Sequence, residues 1–424
     1  MTLDLSADRR LIRTGGSSTR YVRARIEAPA APRDSERLPV NISFVLDRSG
    51  SMHGEKIRLA REAVLTAIRS LRDEDRFSVV VYDDQVDLVA PGTPATASAR
   101  REAESVLRQV EARGMTDLAG GWLAGCAQVA EALDETTVGR CLLLSDGLAN
   151  RGISDHDELV THARELAARG VATTTFGVGR DFDERLLGDM ADAGAGNFYY
   201  VESPAQIPDF IASEVGEALE VVAADARLVV DAPASVRISV LNDLRWVLEG
   251  SRLMIEIGTL VSEQVFDVAL KLEFPRGPLG AEHIVAGILI DRDEVLAGDA
   301  ATLAFTYASG EENEVQVRAR SVDREVAALY AARAHGKALD YHDRAAYEDA
   351  VGTLNATARR IAEYAADDSE LLAIIRNLRD ANDAYSGLMA LKLKKLYFAT
   401  SHNRMHGRDL GGKAMRRFDV FDDE

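Results

Sequence analysis

The 424-residue sequence lacks several features that would indicate a secreted or membrane-embedded protein. Its two cysteines, Cys126 and Cys141, provide neither a CxxC pair nor a disulfide framework, which suits a reducing compartment. No apolar run approaches the ~20 residues that a membrane-spanning helix needs. Residues 1–15 have polar and charged side chains where a signal peptide has an apolar stretch. We therefore expect a cytoplasmic protein without a membrane span.

Positive charge is also scarce. The formal net charge is −19 and the pI is near 5.0, so we expect no broad surface for nucleic acid or anionic membranes. The sequence contains no Gly-x-Ser-x-Gly elbow, no Walker-type Gly-Lys-Ser/Thr loop and no internal repeat. These absences remove the sequence support for nucleic-acid binding, for a serine hydrolase and for a P-loop nucleotide site.

The chain is long enough for two or three domains, and residues 38–222 have the pattern of an α/β domain. Short apolar runs alternate there with segments of helical periodicity, beginning with Val40–Leu46 and Lys56–Leu71. Apolar strands flanked by helices are typical of a doubly wound, mostly parallel sheet covered on both faces. Phe77–Tyr82 is followed closely by Val86–Val89, which predicts a hairpin and one antiparallel edge strand.

The remaining regions have other patterns. Residues 223–321 contain short strand-like runs separated by turns and predict a β-sandwich, and the isolated strand in residues 1–37 is expected to join it. Residues 322–400 have helical periodicity, and residues 401–424 are predicted to be a flexible tail. Within these regions we predict a strand at Glu312–Arg320 and a single helix from Ser369 to about Ala399.

Oxygen-bearing side chains follow or precede the predicted elements of the α/β region. Asp47, Ser49 and Ser51 come directly after an apolar strand, and their spacing of two places alternate side chains on the same side. Thr116 precedes a helix and Asp146 follows another strand, and ligands of α/β sheets bind where strands end. All five are oxygen donors, which suits a hard cation, Mg²⁺ above all, with Mn²⁺ or Ca²⁺ as alternatives, and poorly suits zinc or copper.

In their order, these five positions resemble the metal-ion-dependent adhesion site of the von Willebrand factor A family. That motif is Asp-x-Ser-x-Ser followed by a later Thr and a later Asp, and no position departs from it. The resemblance continues through Phe176–Gly179, Phe182–Leu187 and Met190–Tyr199, which are similar to the last strands of bacterial members. It covers about residues 38–222 and implies a Rossmann-like, doubly wound fold.

The resemblance also implies how the site works. Ser49, Ser51 and Thr116 would ligate the metal in at least one state, whereas Asp47 and Asp146 would bind it directly or through water. An Asp or Glu of a partner protein would fill the open coordination position, so we expect a protein-binding module and not an enzyme. Cytoplasmic bacterial relatives act beside a MoxR-type AAA+ ATPase or in larger assemblies, which makes such an ATPase an expected partner.

Three alternatives remain open. In the first, Ser49 and Ser51 only cap the following helix and Asp146 only makes a turn. In the second, the chain is a metal-assisted hydrolase that uses the same cation as a Lewis acid, with His53 as its general base. In the third, the site is vestigial and the domain is purely structural.

The C-terminal histidines give a weaker signal. No arrangement of cysteines or carboxylates around them in the sequence points to zinc, so we expect them at solvated helix positions. They are His335, His342, His402 and His406.

Overall fold

The computed structural model describes residues 1–31, 37–134, 137–291, 294–296 and 300–417. One sheet is built from β4 (Val40–Asp47), β5 (Arg76–Tyr82), β6 (Val86–Pro94), β7 (Val138–Ser145), β8 (Val171–Val178) and β9 (Ala195–Val201). Its strand order is β6-β5-β4-β7-β8-β9, and every pair is parallel except β5 with β6. The predicted mostly parallel sheet with one antiparallel edge strand is confirmed.

Helices cover both faces of this sheet. They are α1 (Glu55–Ser70), α2 (Ala97–Leu107), α3 (Leu118–Ala130), α4 (His156–Ala167), α5 (Glu184–Ala193) and α6 (Ile207–Leu219). Strand β4 is buried along its whole length because its side chains enter two cores: Phe44 packs with the α1 and α6 side, and Val45 with the α3 and α5 side. Burial on both faces explains the continuous apolar run in the sequence.

Two further sheets pack face to face. The first contains β1 (Thr2–Ala7), β3 (Ser18–Glu27), β14 (Val265–Phe274) and β11 (Arg237–Val240) in that order. The second contains β12 (Trp246–Glu249), β13 (Arg252–Val261), β10 (Val221–Asp231), β15 (Glu282–Asp291), β17 (Ala301–Ala308) and β2 (Leu11–Arg13) in that order, with β16 (Glu294–Val295) beside β15. Ile26 and Val268 of the first sheet share one core with Leu228 and Phe305 of the second, which makes a sandwich. The N-terminal strand β3 pairs with β14 in this sandwich, and residues 32–36 lie outside the described residues.

The C-terminal part is helical. Its elements are α7 (Gly310–Val315), α8 (Arg320–Asp343), α9 (Tyr347–Ala365), α10 (Ser369–Asp380), α11 (Asn382–Tyr385) and α12 (Leu391–Met405). The predicted strand at Glu312–Arg320 is wrong. Ser309 and Glu312 form a capping box, with the Ser309 amide donating to Glu312 Oε2 at 2.9 Å, and this starts α7 instead.

The prediction of a single helix from Ser369 to Ala399 is also wrong, because the helix is interrupted between α10 and α12. Tyr385 is fully buried at the break, and the Gly387 carbonyl accepts a hydrogen bond from His342 Nε2 at 3.0 Å. The turn lets Tyr385 and Tyr397 pack on the same partner, the ring of His335. Burying both aromatic rings is incompatible with a straight helix through this segment.

The tail prediction is wrong for residues 401–417. Helix α12 continues to Met405, and the following segment packs along α6 because its cations meet acidic side chains there. Arg408 contacts Glu217 at 2.6 Å, and the Ala414 amide donates to the same carboxylate at 3.0 Å. Residues 418–424 of the predicted tail lie outside the described residues.

Two structural findings bear on the cysteines and on membrane insertion. Cys126 and Cys141 are both free and buried. Among the helices of the described ranges, none has the length and apolar character needed to cross a membrane.

The environment of His335 corrects the prediction that the C-terminal histidines are solvated. Its ring stacks on Tyr397 with centroids 5.1 Å apart, and its Nδ1 lies 3.2 Å from the Tyr385 hydroxyl. Burial lowers the pKa of His335 to about 4, so the folded chain holds this imidazole neutral.

We expect His335→Phe to flatten the pH dependence of folding stability. The unfolded chain binds a proton at His335 more tightly than the folded chain does. The contribution of neutral His335 to folding stability is therefore fully present above pH ~6.5 and is lost as the pH falls towards 4. The free energy of unfolding of the wild type should fall by up to about 3 kcal/mol more than that of the variant across this window. Urea unfolding at a series of pH values measures the difference. Equal slopes for wild type and His335→Phe would contradict the assignment.

Candidate metal centre

Asp47 is the last residue of β4, and its carboxylate is completely buried. Its Oδ1 accepts a hydrogen bond from the Ser49 amide at 2.7 Å, and its Oδ2 accepts one from the Ser145 hydroxyl at 2.8 Å. Burial raises the pKa of Asp47 to about 6, while the hydrogen bonds from Ser49 and Ser145 act in the opposite direction. The carboxylate is therefore held by the loop after its own strand and by the end of the neighbouring strand β7.

A row of oxygen atoms runs from this loop to the end of β7. The hydroxyl oxygens of Ser49 and Ser51 lie 3.0 Å apart, and the Ser51 hydroxyl donates to Asp146 Oδ1 at 2.6 Å. Asp146 directly follows β7 and is also fully buried. The structure thus brings four of the predicted residues together through strands β4 and β7, which are neighbours in the sheet.

Thr116 borders the same space from a different loop. It is buried, its amide donates to Asn150 Oδ1 at 3.0 Å, and its carbonyl accepts from the Asn150 amide at 3.3 Å. A Cβ atom placed on Gly147 would lie 3.4 Å from the Thr116 hydroxyl oxygen and 3.8 Å from that of Ser51. Both hydroxyls therefore face the Gly147 backbone, and Asn150, which sequence reasoning missed, positions the Thr116 loop.

The side chain between the first two donors points elsewhere. Arg48 Nε donates to Asp83 Oδ2 at 3.1 Å, and the same guanidinium contacts Asp87. Arg113 Nε donates to Asp83 as well, at 2.7 Å. Successive side chains of the loop thus point to opposite sides. The oxygen donors lie on one side, and the buried Arg48 on the other side binds the β5–β6 hairpin.

Lys56 is the functional residue that sequence reasoning missed most clearly. Its ammonium group contacts Asp146 Oδ2 and lies 3.2 Å from the Ser51 carbonyl oxygen. It sits in the first turn of α1, so the signal available in the sequence was a basic residue five positions after Ser51. The ammonium supplies positive charge to a place where two buried carboxylates, Asp47 and Asp146, lie close together.

The capping alternative does not describe this loop. Ser49 precedes a short 3-10 helix, Gly50–Met52, but its side chain makes no capping hydrogen bond to that helix among the described residues. Helix α1 begins only after Gly54. Asp117, in contrast, does cap a helix, because its Oδ1 accepts from the Gly120 amide at 2.9 Å. The Ser51 hydroxyl is directed at the Asp146 carboxylate, and the Ser49 hydroxyl contacts that of Ser51 and not a helix terminus.

The donor set fits a hard divalent cation. It contains two carboxylates and three hydroxyls from Asp47, Ser49, Ser51, Thr116 and Asp146, all at the carboxyl edge of the parallel sheet. Mg²⁺ prefers oxygen ligands and usually retains some water, so five partly charged oxygens of this kind suit it. The buried negative charge of the two carboxylates is an electrostatic reason for a cation to bind there.

We expect Lys56→Met to destabilise the chain in EDTA, because the buried Asp146 carboxylate loses the cation that contacts it. The loss should be about 2 kcal/mol, less than for a fully buried pair since the Lys56 side chain is 25% exposed. Urea unfolding measures it. The matched control is Arg58→Met on the same helix, whose ion pair with Glu62 is exposed and should contribute little. Equal stability of the two variants would show that Lys56 does not compensate the negative charge of the buried Asp146 carboxylate.

Comparison with known proteins supports the α/β region as a recognisable domain. Residues 41–213 match the family model of the von Willebrand factor type A domain. The chain is 28% identical over 206 residues to uncharacterized protein YfbK of Escherichia coli (strain K12), a match that covers 48% of this chain and 36% of YfbK. It is 24% identical over 311 residues to uncharacterized protein sll0103 of Synechocystis sp., covering 70% of this chain and 72% of that protein. The chain therefore spans only about a third of the length of YfbK.

A solved structure has a similar architecture over nearly the whole chain. The von Willebrand factor type A structure from Catenulispora acidiphila is 18% identical in sequence, with a TM-score of 0.69. The match covers 98% of this chain and 97% of that chain. At this identity the likeness is one of fold, and it extends beyond the α/β region to the sandwich and the C-terminal helices.

Proposed function

Residues 41–213 form a von Willebrand factor type A domain, and we propose that it binds a partner protein through a divalent cation. Such domains are typically protein-interaction modules and commonly bind a divalent metal at a metal-ion-dependent adhesion site. The observation that carries the proposal is the hydrogen-bonded row from Ser49 through Ser51 to Asp146 at the sheet edge. With Asp47 and Thr116, these residues would hold the ion.

We propose Mg²⁺ as the ion, with Mn²⁺ or Ca²⁺ able to replace it, because every donor is an oxygen. Ser49, Ser51 and Thr116 provide neutral oxygens, so the ion keeps part of its positive charge. When bound, the ion supplies a positively charged position open to an outside ligand. Lys56 contacts Asp146 in the structure, so its ammonium and the ion would share that carboxylate or compete for it.

A partner that presents Asp or Glu fits this arrangement. A carboxylate is a hard, negatively charged oxygen ligand, and it would complete the coordination that the protein leaves open. The rest of this chain is strongly acidic, with a net charge of −19, so the cation gives an acidic partner a local point of attraction. We propose that the partner belongs to a multiprotein assembly, and that a MoxR-type AAA+ ATPase is one candidate.

We propose binding and not catalysis. Von Willebrand factor A domains are in general non-enzymatic interaction modules. A hydrolase would need a general base directed at the ion, and the candidate, His53, lies exposed at the end of the short 3-10 helix. The groups on the buried side of the site are carboxylates and hydroxyls already bonded to one another.

Direct metal binding tests the site. We expect the full chain to bind Mn²⁺ at the Asp47–Asp146 cluster, measured by loss of the free Mn²⁺ signal in electron paramagnetic resonance, and Mg²⁺ to displace it. Asp146→Ala should weaken binding by about 100-fold or more, because it removes a charged ligand from a site with only two carboxylates. The matched control is Asp117→Asn, which keeps the cap of α3 and should bind as the wild type does. Wild-type affinity in Asp146→Ala would refute the assignment.

Partner capture tests the function. We expect the immobilised chain to retain a specific partner in Mg²⁺, and to release it in EDTA or when Asp47 is replaced by Ala, because the partner carboxylate then has no ion to bind. Quantitative mass spectrometry of the eluates measures this, with Asp117→Asn as the positive control. Replacement of the responsible acidic residue of the partner should abolish capture. A partner retained equally in Mg²⁺ and in EDTA, and by Asp47→Ala, would contradict the metal-dependent function.

A further inference from the structure

A second cluster of ligand-type side chains lies between the von Willebrand factor A domain and the last helix. His402 lies in the last turn of α12, His406 is the residue that caps this helix one turn later, and both face Asp192 of α5. Asp192 Oδ1 lies 3.0 Å from His402 Nε2 and 3.3 Å from His406 Nε2, and the three ligand atoms are all within 4.8 Å of one another. We propose that Asp192, His402 and His406 form a second metal site that takes Zn²⁺ or a similar borderline transition ion.

The spacing of these atoms suits a single zinc ion. Zinc binds imidazole nitrogen and carboxylate oxygen at about 2.0–2.2 Å, so two ligands of one tetrahedral ion lie about 3.3 Å apart. Both separations from Asp192 are close to that value. A pair of histidines four residues apart on a helix places both rings on one face, where they can reach the same ion.

The orientation of His406 leaves its Nε2 atom available to a cation. Its Nδ1 lies 2.8 Å from the His402 carbonyl oxygen and must donate its proton there, since a carbonyl can only accept. In the neutral ring Nε2 then carries a lone pair, and this faces the Asp192 carboxylate oxygen. Two acceptors 3.3 Å apart repel each other unless a proton or a metal ion lies between them. A histidine whose other nitrogen donates to a backbone carbonyl is also the usual arrangement of a metal ligand.

The ring of His402 is held in place by aromatic neighbours. It packs edge to face on Phe198 with centroids 5.5 Å apart, and it stacks on Phe398 at 5.7 Å and on His406 at 4.4 Å. Gly188, one turn before Asp192 on α5, makes room for the Phe398 ring that stacks on His402, because a Cβ there would lie only 3.2 Å from that ring. The His402 ring is therefore directed at Asp192 before any ion binds, which lowers the entropic cost of coordination.

The surroundings allow a fourth ligand. The cluster borders a cavity of about 420 Å³ between the domain and the sandwich, which also contains Asp189, Asp243 and Arg245. Asp189 and Asp243 add negative charge near the rings, whereas Arg245 donates to the carbonyl oxygens of Asp192 and Ala193 at 3.1 and 3.0 Å and opposes a cation. Water in this cavity would complete the coordination of an ion with three protein ligands.

The two sites differ in chemistry, so one experiment separates them. Imidazole ligands favour Zn²⁺, Co²⁺ or Ni²⁺ strongly over Mg²⁺, whereas the oxygen-only site also suits Mg²⁺. We expect the full chain, titrated with Zn²⁺ against a chromogenic chelator at pH 7.5, to bind one ion that excess Mg²⁺ does not displace. His402→Ala and His406→Ala should each weaken this binding by about 100-fold or more, while Asp146→Ala leaves it unchanged.

The matched control is His162→Ala. His162 also lies one turn from a carboxylate on a helix, 3.8 Å from Glu158, but the pair is exposed and has no second imidazole, so its loss should not change Zn²⁺ affinity. Circular dichroism in EDTA confirms that each variant is folded, and His406→Gln replaces any alanine variant that is not. Equal Zn²⁺ affinity in wild type and in the His402→Ala/His406→Ala double variant would overturn the proposal.

Cobalt gives a readout that needs no variant. Co²⁺ bound by two imidazoles and a carboxylate at a four-coordinate site should produce intense visible absorption, and one equivalent of Zn²⁺ should abolish it. The weak spectrum of six-coordinate Co²⁺ alone, in excess Mg²⁺ that occupies the oxygen site, would overturn the proposal and leave Asp192, His402 and His406 as an ion-pair cluster that only fastens α12 to α5.

Discussion

Two carboxylates with no access to solvent, Asp47 and Asp146, impose the main constraint on the α/β domain. They end up close together because β4 and β7 are adjacent parallel strands, and parallel strands bring their carboxyl ends to one edge. Buried negative charges cost free energy unless hydrogen bonds and positive charge surround them. Ser145 provides such a bond to the first, and Ser51 and Lys56 contact the second, so the loop after β4, the end of β7 and the start of α1 are fixed relative to one another.

Buried carboxylates that need hydrogen bonds and positive charge also connect helix α6 of the α/β domain to the C-terminal part of the chain. Glu214 of α6 is buried and accepts from the Tyr199 hydroxyl at 2.9 Å, and Glu217, one turn later, contacts Arg408 at 2.6 Å. The cation comes from the segment after α12, so the acidic face of α6 is completed only when the C-terminal part has folded onto it. Helix α6 leads directly into β10 of the sandwich, with one residue between them. A displacement of α6 would therefore strain the sandwich and the buried contact with Arg408 together.

The sequence allowed prediction of the parts whose determinants are local or periodic. Asp47, Ser49 and Ser51 could be placed at a strand end because the apolar run before them is buried on both faces, and parallel strands share that edge. The capping box of Ser309 and Glu312 was present in the sequence, and its omission produced the false strand at residues 312–320. The contacts of Lys56, His402 and His406 could not be predicted, because they depend on how α1 and α12 are rotated when they pack. His402 and Asp192 are 210 residues apart in the chain, and no local pattern relates them.

The position of each cluster in the fold bears on what it can do. The oxygen cluster lies at the end of β4 and in loops at the same edge of the sheet, with the Ser51 side chain exposed, so a bound ion there would remain accessible to another molecule. The histidine cluster lies where α5, α12 and the sandwich meet, and His402 is only 10% exposed. An ion there would connect parts of the same chain. Because hard and borderline ions prefer different ligands, a cell that supplies both could occupy the two places independently. Under the two proposals, the first ion would recruit a partner, and the second would hold the C-terminal helices against the domain that recruits it.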